Sequence, residues 1–220
     1  MTLARANEIL CILKENFSAP KWASSRRNSF ETLIVTIISQ NTTGINTTKA
    51  FERLSREFRI TPEVLANADE KALQEALRVA GLFRSKTKTI KRVSQIVLEE
   101  FSGSIDFIHS MPLEEARKRL LSLPGVGPKT ADVVLLFSCG KETVPVDTHV
   151  NRVSKRLGLA PENADYEGVR MALQSLYAPE DYMAVHLSLI MLGRKCCRAL
   201  RPACRQCPVS NLCPSRRVDD

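Results

Sequence analysis

A chain of 220 residues is long enough to bury a sizeable core, either as one globule or as two small lobes. Lys and Arg number 32 against 24 Asp and Glu, a net charge of +8. That balance suits a protein whose partner is a polyanion, or one that is merely basic. No segment approaches the ~18 apolar residues needed to cross a bilayer, which excludes a helical membrane span.

The N-terminal stretch MTLARANEILCILKENF sets Arg5, Glu8, Lys14 and Glu15 among apolar residues at helical spacing. A signal peptide has an unbroken apolar core instead, so residues 3–16 are expected to be a helix and the protein to stay in the cytoplasm or nucleoid. Apolar residues then recur at spacings of three and four over 29–40, 46–58, 62–67, 70–79, 86–101, 113–122, 128–138, 148–157, 165–176 and 180–193. Thr61-Pro62, Ser85 and Asp147 stand where helices should start. No run alternates long enough to predict a strand, and the expected class is all-α. Irregular segments at 18–28 and 139–146 divide the pattern. They suggest one helical domain over 26–139 and a second built from 1–25 together with 140–220.

The stretch LPGVGPKT, residues 123–130, reads as a tight turn between two helices. Gly125 and Gly127 permit backbone conformations or close approaches denied to other residues, and Pro128 suits the first position of the second helix. Such a turn, with Val126 between the glycines, can aim N–H groups at a phosphate; it can also be a plain helix–helix connection. Lys129 is the odd residue, because a cation is unwelcome where unpaired N–H groups already carry partial positive charge. Asp147, in VPVDTHVNRV, is placed to cap the helix that follows.

Seven cysteines in a reducing compartment are a poor disulfide framework, and five of them fall in CCRALRPACRQCPVSNLCPSRR. Four thiolates in a short loop suit zinc or an iron–sulfur cluster, and only Cys204-x2-Cys207 has the short knuckle spacing common in zinc sites. Cys11 and Cys139 sit in apolar contexts and are expected to be buried thiols; His109, His149 and His186 lack metal-ligand company and are expected to be structural.

LPGVGPKTADVV, then VPVDTHVNRV, then C-x6-C-x2-C-x5-C closely resemble, in that order, the endonuclease III branch of the helix-hairpin-helix DNA glycosylases. The resemblance runs over essentially the whole chain and includes SFETLIVTIISQNTT. It implies a two-lobed base-excision enzyme with a C-terminal cluster loop at 197–213. Such an enzyme flips a damaged pyrimidine out of duplex DNA, cuts its bond to the sugar through a lysine nucleophile and nicks the strand by β-elimination. Lys129 would be that nucleophile and Asp147 the carboxylate that assists departure of the base. Gly125, Val126 and Gly127 would meet the DNA backbone. Leu82 would wedge into the duplex, and Gln40 or Asn41 would fill the vacated place. Cys197, Cys204, Cys207 and Cys213 would hold a [4Fe-4S] cluster, with Cys196 a spare and Arg198, Arg201 and Arg205 facing phosphates. The expected partner is double-stranded DNA carrying damaged bases or abasic sites, met by a monomer.

Where bacterial members commonly read S-x-Q-x-T-D, this chain has Ser39-Gln40-Asn41-Thr42-Thr43-Gly44, without the acid. An attacking amine must be unprotonated, and bringing a lysine from ~10.4 to ~7 takes about 4–5 kcal/mol. A helix start supplies ~0.3–1 kcal/mol, or ~2 at best, so desolvation or proton transfer during the reaction must supply the rest. A monofunctional mismatch- or adenine-specific glycosylase would usually lack the hairpin lysine. An oxidised-purine glycosylase would lack the cysteine loop. A non-catalytic iron–sulfur DNA binder would not need Lys129 and Asp147 together.

Overall fold

The structure, a computed structural model, describes residues 2–20, 23 and 27–217. Among these residues it contains eleven α-helices joined by turns and short 3-10 segments, and no strand. Contacts divide the chain into one unit of residues 26–141 and another of residues 1–25 with 142–220. The second boundary falls two residues beyond the one expected at 139, because Lys141 Nζ bonds the carbonyls of His109 and Met111 at 3.0 and 2.6 Å. The expected boundary at 25/26 lies outside the described residues.

The 26–141 unit is built around α2 (Ser29–Ser39). Asn28 and Glu31 start this helix with reciprocal side-chain-to-backbone bonds, a capping box that satisfies two N–H groups at once. Phe30, Leu33, Ile34, Ile37 and Ile38 are all buried, so α2 is sheathed by its neighbours instead of lying on the surface. Around it stand α3 (Gly44–Glu57), α4 (Pro62–Asn67), α5 (Glu70–Leu77), α6 (Phe83–Glu100), α7 (Leu113–Leu121) and α8 (Pro128–Cys139). Thr61 caps α4 ahead of Pro62, as its sequence predicts.

The other unit joins α1 (Leu3–Asn16) to α9 (Thr148–Arg156), α10 (Tyr166–Leu176) and α11 (Tyr182–Lys195). α1 buries Ala6, Ile9, Leu10 and Leu13. Cys11 falls off that face and is exposed, against the expectation of a buried thiol, while Cys139 is partly buried. His186 is structural: its Nδ1 pairs with the Pro145 carbonyl at 2.8 Å in a buried setting.

One helix start differs from the sequence pattern. Ser85 does not begin α6; the helix starts at Phe83, and Leu82 holds the N-cap position at φ 48°, directly after Gly81 at φ 66°. Two successive residues with positive φ, of which Leu82 is left-handed, turn the chain sharply, and that conformation is invisible to apolar periodicity.

Candidate nucleic-acid and catalytic site

α7 and α8 form the hairpin. Gly125 lies at φ 74°, and a Cβ there would come within 2.7 Å of Thr89 Cγ2, so both conformation and space require glycine. Gly127 is extended with open space around it, and no side chain caps α8. Val126 is 6% exposed and belongs to the core. Its N–H bonds the Leu123 carbonyl at 3.2 Å, so the expected row of outward N–H groups is interrupted at 126. The N–H groups of Gly125 and Gly127 have no partner among the described residues. Lys129 is the second residue of α8 and is half-buried.

Two contacts missed by sequence reasoning hold this hairpin. Arg117 of α7 grips Asp132 of α8, Nε to Oδ1 at 3.0 Å and Nη2 to Oδ2 at 3.5 Å, with the Asp132 side chain 0% exposed. An acid inside the apolar run 131–137 was the available signal. From the end of α2, Gln40 Nε2 donates to the Gly125 carbonyl at 3.0 Å and to Thr130 Oγ1 at 3.3 Å. Gln40 thus braces the turn. Asn41 is exposed at φ 52°, a conformation asparagine tolerates better than most residues.

Leu82 is 60% exposed at its left-handed position. Below it, Lys86 is buried at 5% exposure and donates from Nζ to the Ala80 carbonyl at 2.9 Å. Burial lowers its pKa from the ordinary lysine value. The run Arg84, Lys86, Lys88, Lys91 and Arg92 therefore presents a narrower basic face than its composition suggests. Lys91 is tied to the Ala68 carbonyl, and Arg84, Lys88 and Arg92 remain exposed at four-residue spacing.

In the other unit, Asp147 caps α9 as expected. Its Oδ1 accepts from the N–H groups of His149 and Val150, both at 2.8 Å. Both bonds fall on one oxygen, which leaves Oδ2 without a partner among the described residues. Behind it, the Tyr166 hydroxyl accepts from the Val146 N–H at 3.4 Å, fixing the approach to the cap. Gly193 in α11 lets α9 come close: a Cβ there would lie 2.8 Å from His149 Cβ.

The cysteine loop hangs from the same helix. Arg152 donates from Nε to the Cys197 carbonyl at 2.9 Å and from Nη2 to the Gly193 carbonyl at 3.0 Å. Arg156 donates to the Arg198 and Ala199 carbonyls at 2.7 and 3.1 Å. Neither arginine was singled out from the sequence, since backbone carbonyls as acceptors leave no pattern. Cys197, Cys204, Cys207 and Cys213, with Cys196, line a cavity of about 240 Å³. Burial pushes the Cys207 thiol up to about 11 and the Cys213 and Cys196 thiols upward. Ser210 Oγ, on the same wall, is buried without a partner. Among the described residues no three His, Cys, Asp or Glu side chains group closely enough for a single metal ion. A soft, all-thiol donor set spread around a cavity, with an orphaned hydroxyl beside it, fits an iron–sulfur cluster.

A glycine-dependent hairpin in an all-helical chain defines a helix-hairpin-helix protein, and the HhH-GPD superfamily of base excision DNA repair proteins matches residues 34–179. The chain is 35% identical to endonuclease III of Sulfolobus acidocaldarius over 188 residues, 85% of this chain and 82% of that protein. It is 35% identical to endonuclease III of Rickettsia prowazekii over 208 residues, 94% of this chain and 93% of the relative. Among solved structures, a trapped covalent endonuclease III–DNA intermediate with an estranged adenine superposes with a TM-score of 0.83. That match has 31% identity and covers 98% of this chain and 97% of the other. The chain belongs to the endonuclease III family.

Proposed function

We propose that this protein is a base excision repair DNA glycosylase and abasic-site lyase that removes damaged pyrimidines from duplex DNA, with Lys129 as nucleophile. The observation that carries the reading is a lysine at the second position of α8, immediately after a turn that Gly125 and Arg117–Asp132 fix in place. The Lys129 amine attacks C1′ of the extruded nucleotide, and the bond to the base breaks with its electron pair leaving on the base. Ring opening gives a Schiff base. Loss of a 2′ proton then expels the 3′ phosphate with its bonding electrons. The Asp147 carboxylate offsets positive charge developing on the sugar. The Gly125 and Gly127 N–H groups receive phosphate oxygens, while Val126 only anchors the turn in the core. Leu82 wedges into the duplex. Asn41, exposed where Gln40 is engaged, fills the gap.

Cys197, Cys204, Cys207 and Cys213 would hold the [4Fe-4S] cluster. When bound, the cluster cross-links a loop that has little apolar burial of its own. Arg152 and Arg156 then transmit that order to α9.

The direct test is borohydride trapping on duplex DNA containing an abasic site. A covalent adduct on the peptide that contains residue 129 is expected. Active protein that yields no adduct refutes the lyase.

Two further outcomes follow from single side chains. Asp147→Asn keeps the cap, because asparagine serves as well as aspartate there, but removes the charge. Base excision is expected to fall about a hundredfold with the thermal midpoint little changed, measured by single-turnover kinetics and calorimetry. Leu82→Gly relieves a left-handed leucine, worth about 1 kcal/mol, and adds a similar entropic cost. Stability should stay within about 1 kcal/mol while excision from duplex DNA drops about tenfold or more.

A further inference from the structure

We propose that Cys196 is a reserve ligand for the cluster, able to take the place of Cys197 while the other three cysteines stay where they are. This rests on the cluster reading above. Five thiols line the cavity where four are needed. Cys196 Sγ lies 3.7 Å from the Gln206 carbonyl oxygen, against the short turn Cys204–Gln206 that begins with one ligand and leads directly into another, Cys207. The N–H groups of Cys196 and Cys197 both bond the Leu192 carbonyl, at 2.9 and 2.8 Å, so the two residues leave α11 from one shared anchor. A change of ligand between them therefore needs local rotation at the helix end and no displacement of α11.

The loop backbone is also held independently of the Cys197 sulfur. Arg152 grips the Cys197 carbonyl at 2.9 Å, and the Ala203 N–H bonds the Cys196 carbonyl at 2.9 Å. The exchange is a ligand substitution with no change of oxidation state. The Cys196 thiol releases its proton to solvent as its sulfur bonds iron, and the displaced Cys197 thiolate takes up a proton as its bond to iron breaks.

The test compares wild type, Cys196→Ala, Cys197→Ala and the double variant, purified without oxygen. Readouts are iron per chain, visible absorption and far-ultraviolet circular dichroism. Cys197→Ala is expected to keep about half or more of the wild-type iron and the double variant less than about a fifth. Cys196→Ala, with four ligands intact, should load like wild type but lose iron to a chelator about threefold faster or more, because a released iron corner is no longer recaptured. A folded Cys197→Ala protein as iron-poor as the double variant overturns the proposal. So does a Cys196→Ala protein that purifies without iron, which would make Cys196 a primary ligand. If Cys197→Ala does not fold, the chelation rates decide, and equal rates overturn it. Wild type holding only zinc removes the cluster reading instead, and the same comparison by zinc content then decides whether Cys196 is a reserve ligand.

Discussion

Replacing Lys129 with alanine is expected to eliminate the trapped adduct and to slow strand cleavage at abasic sites about 10³-fold or more, since in the proposed mechanism every later step waits for the amine to bond to the sugar. The substitution should not unfold the protein. Alanine is the best helix former, and removing a cation from the first turn of α8 relieves about 0.3–1 kcal/mol of unfavourable interaction with the helix N-terminus. Lost activity with the fold retained is thus the signature of a lysine kept for chemistry. Lys129→Arg separates the roles further: it preserves the positive charge for a phosphate, and with it DNA affinity, but cannot form the adduct. A Lys129→Arg protein that cleaves like wild type would reduce Lys129 to a phosphate contact.

Asp132→Ala should be strongly destabilising, at about 3–5 kcal/mol, because it removes one half of a buried ion pair whose carboxylate is 0% exposed. That loss is a large share of the ~5–15 kcal/mol typical of a folded protein. Urea denaturation at neutral pH would show it as a lower midpoint. The paired change Arg117→Met with Asp132→Leu replaces both charges by apolar side chains and should recover most of the stability, since the cost comes from breaking one half of a buried pair. Lyase activity should follow the same order, because this ion pair joins the helix before the turn to the helix that carries Lys129. An Asp132→Ala protein no less stable than wild type would refute this role for the pair.

Helices were legible in the sequence because burial on one face repeats every three to four residues, and α4 and α9 begin at the expected caps. What escaped was whatever depends on partners remote in the chain. Lys86 looks like part of a solvated basic face until its ammonium is found buried against the Ala80 carbonyl. Cys11 looks like an apolar-face residue, yet α1 turns it outward by one step. Gln40 is singled out by its motif for DNA, and nothing in the sequence shows that its Nε2 donates to the Gly125 carbonyl and the Thr130 hydroxyl of the hairpin. Arg152 and Arg156 bond carbonyls of the cysteine loop, and such bonds have no sequence code. Lys129 and Asp147, the proposed nucleophile and its carboxylate, draw the eye in the sequence because each is chemically out of place or open to double employment: a cation at a helix start, a capping acid with a second oxygen.

The unit that includes α1 is assembled from both ends of the chain. The Tyr177 hydroxyl donates to the Ala6 carbonyl at 3.2 Å, across 171 residues of sequence. On a ribosome, α1 therefore emerges long before its packing partners exist. The 149 residues between Asn16 and Tyr166 take about 7–30 s to synthesise at ~5–20 residues per second. Through that interval Ile9, Leu10 and Leu13 form an unmatched apolar stripe, while residues 26–141 are contiguous and can close as they appear. During synthesis residues 26–141 should therefore become protease-resistant before α1 does.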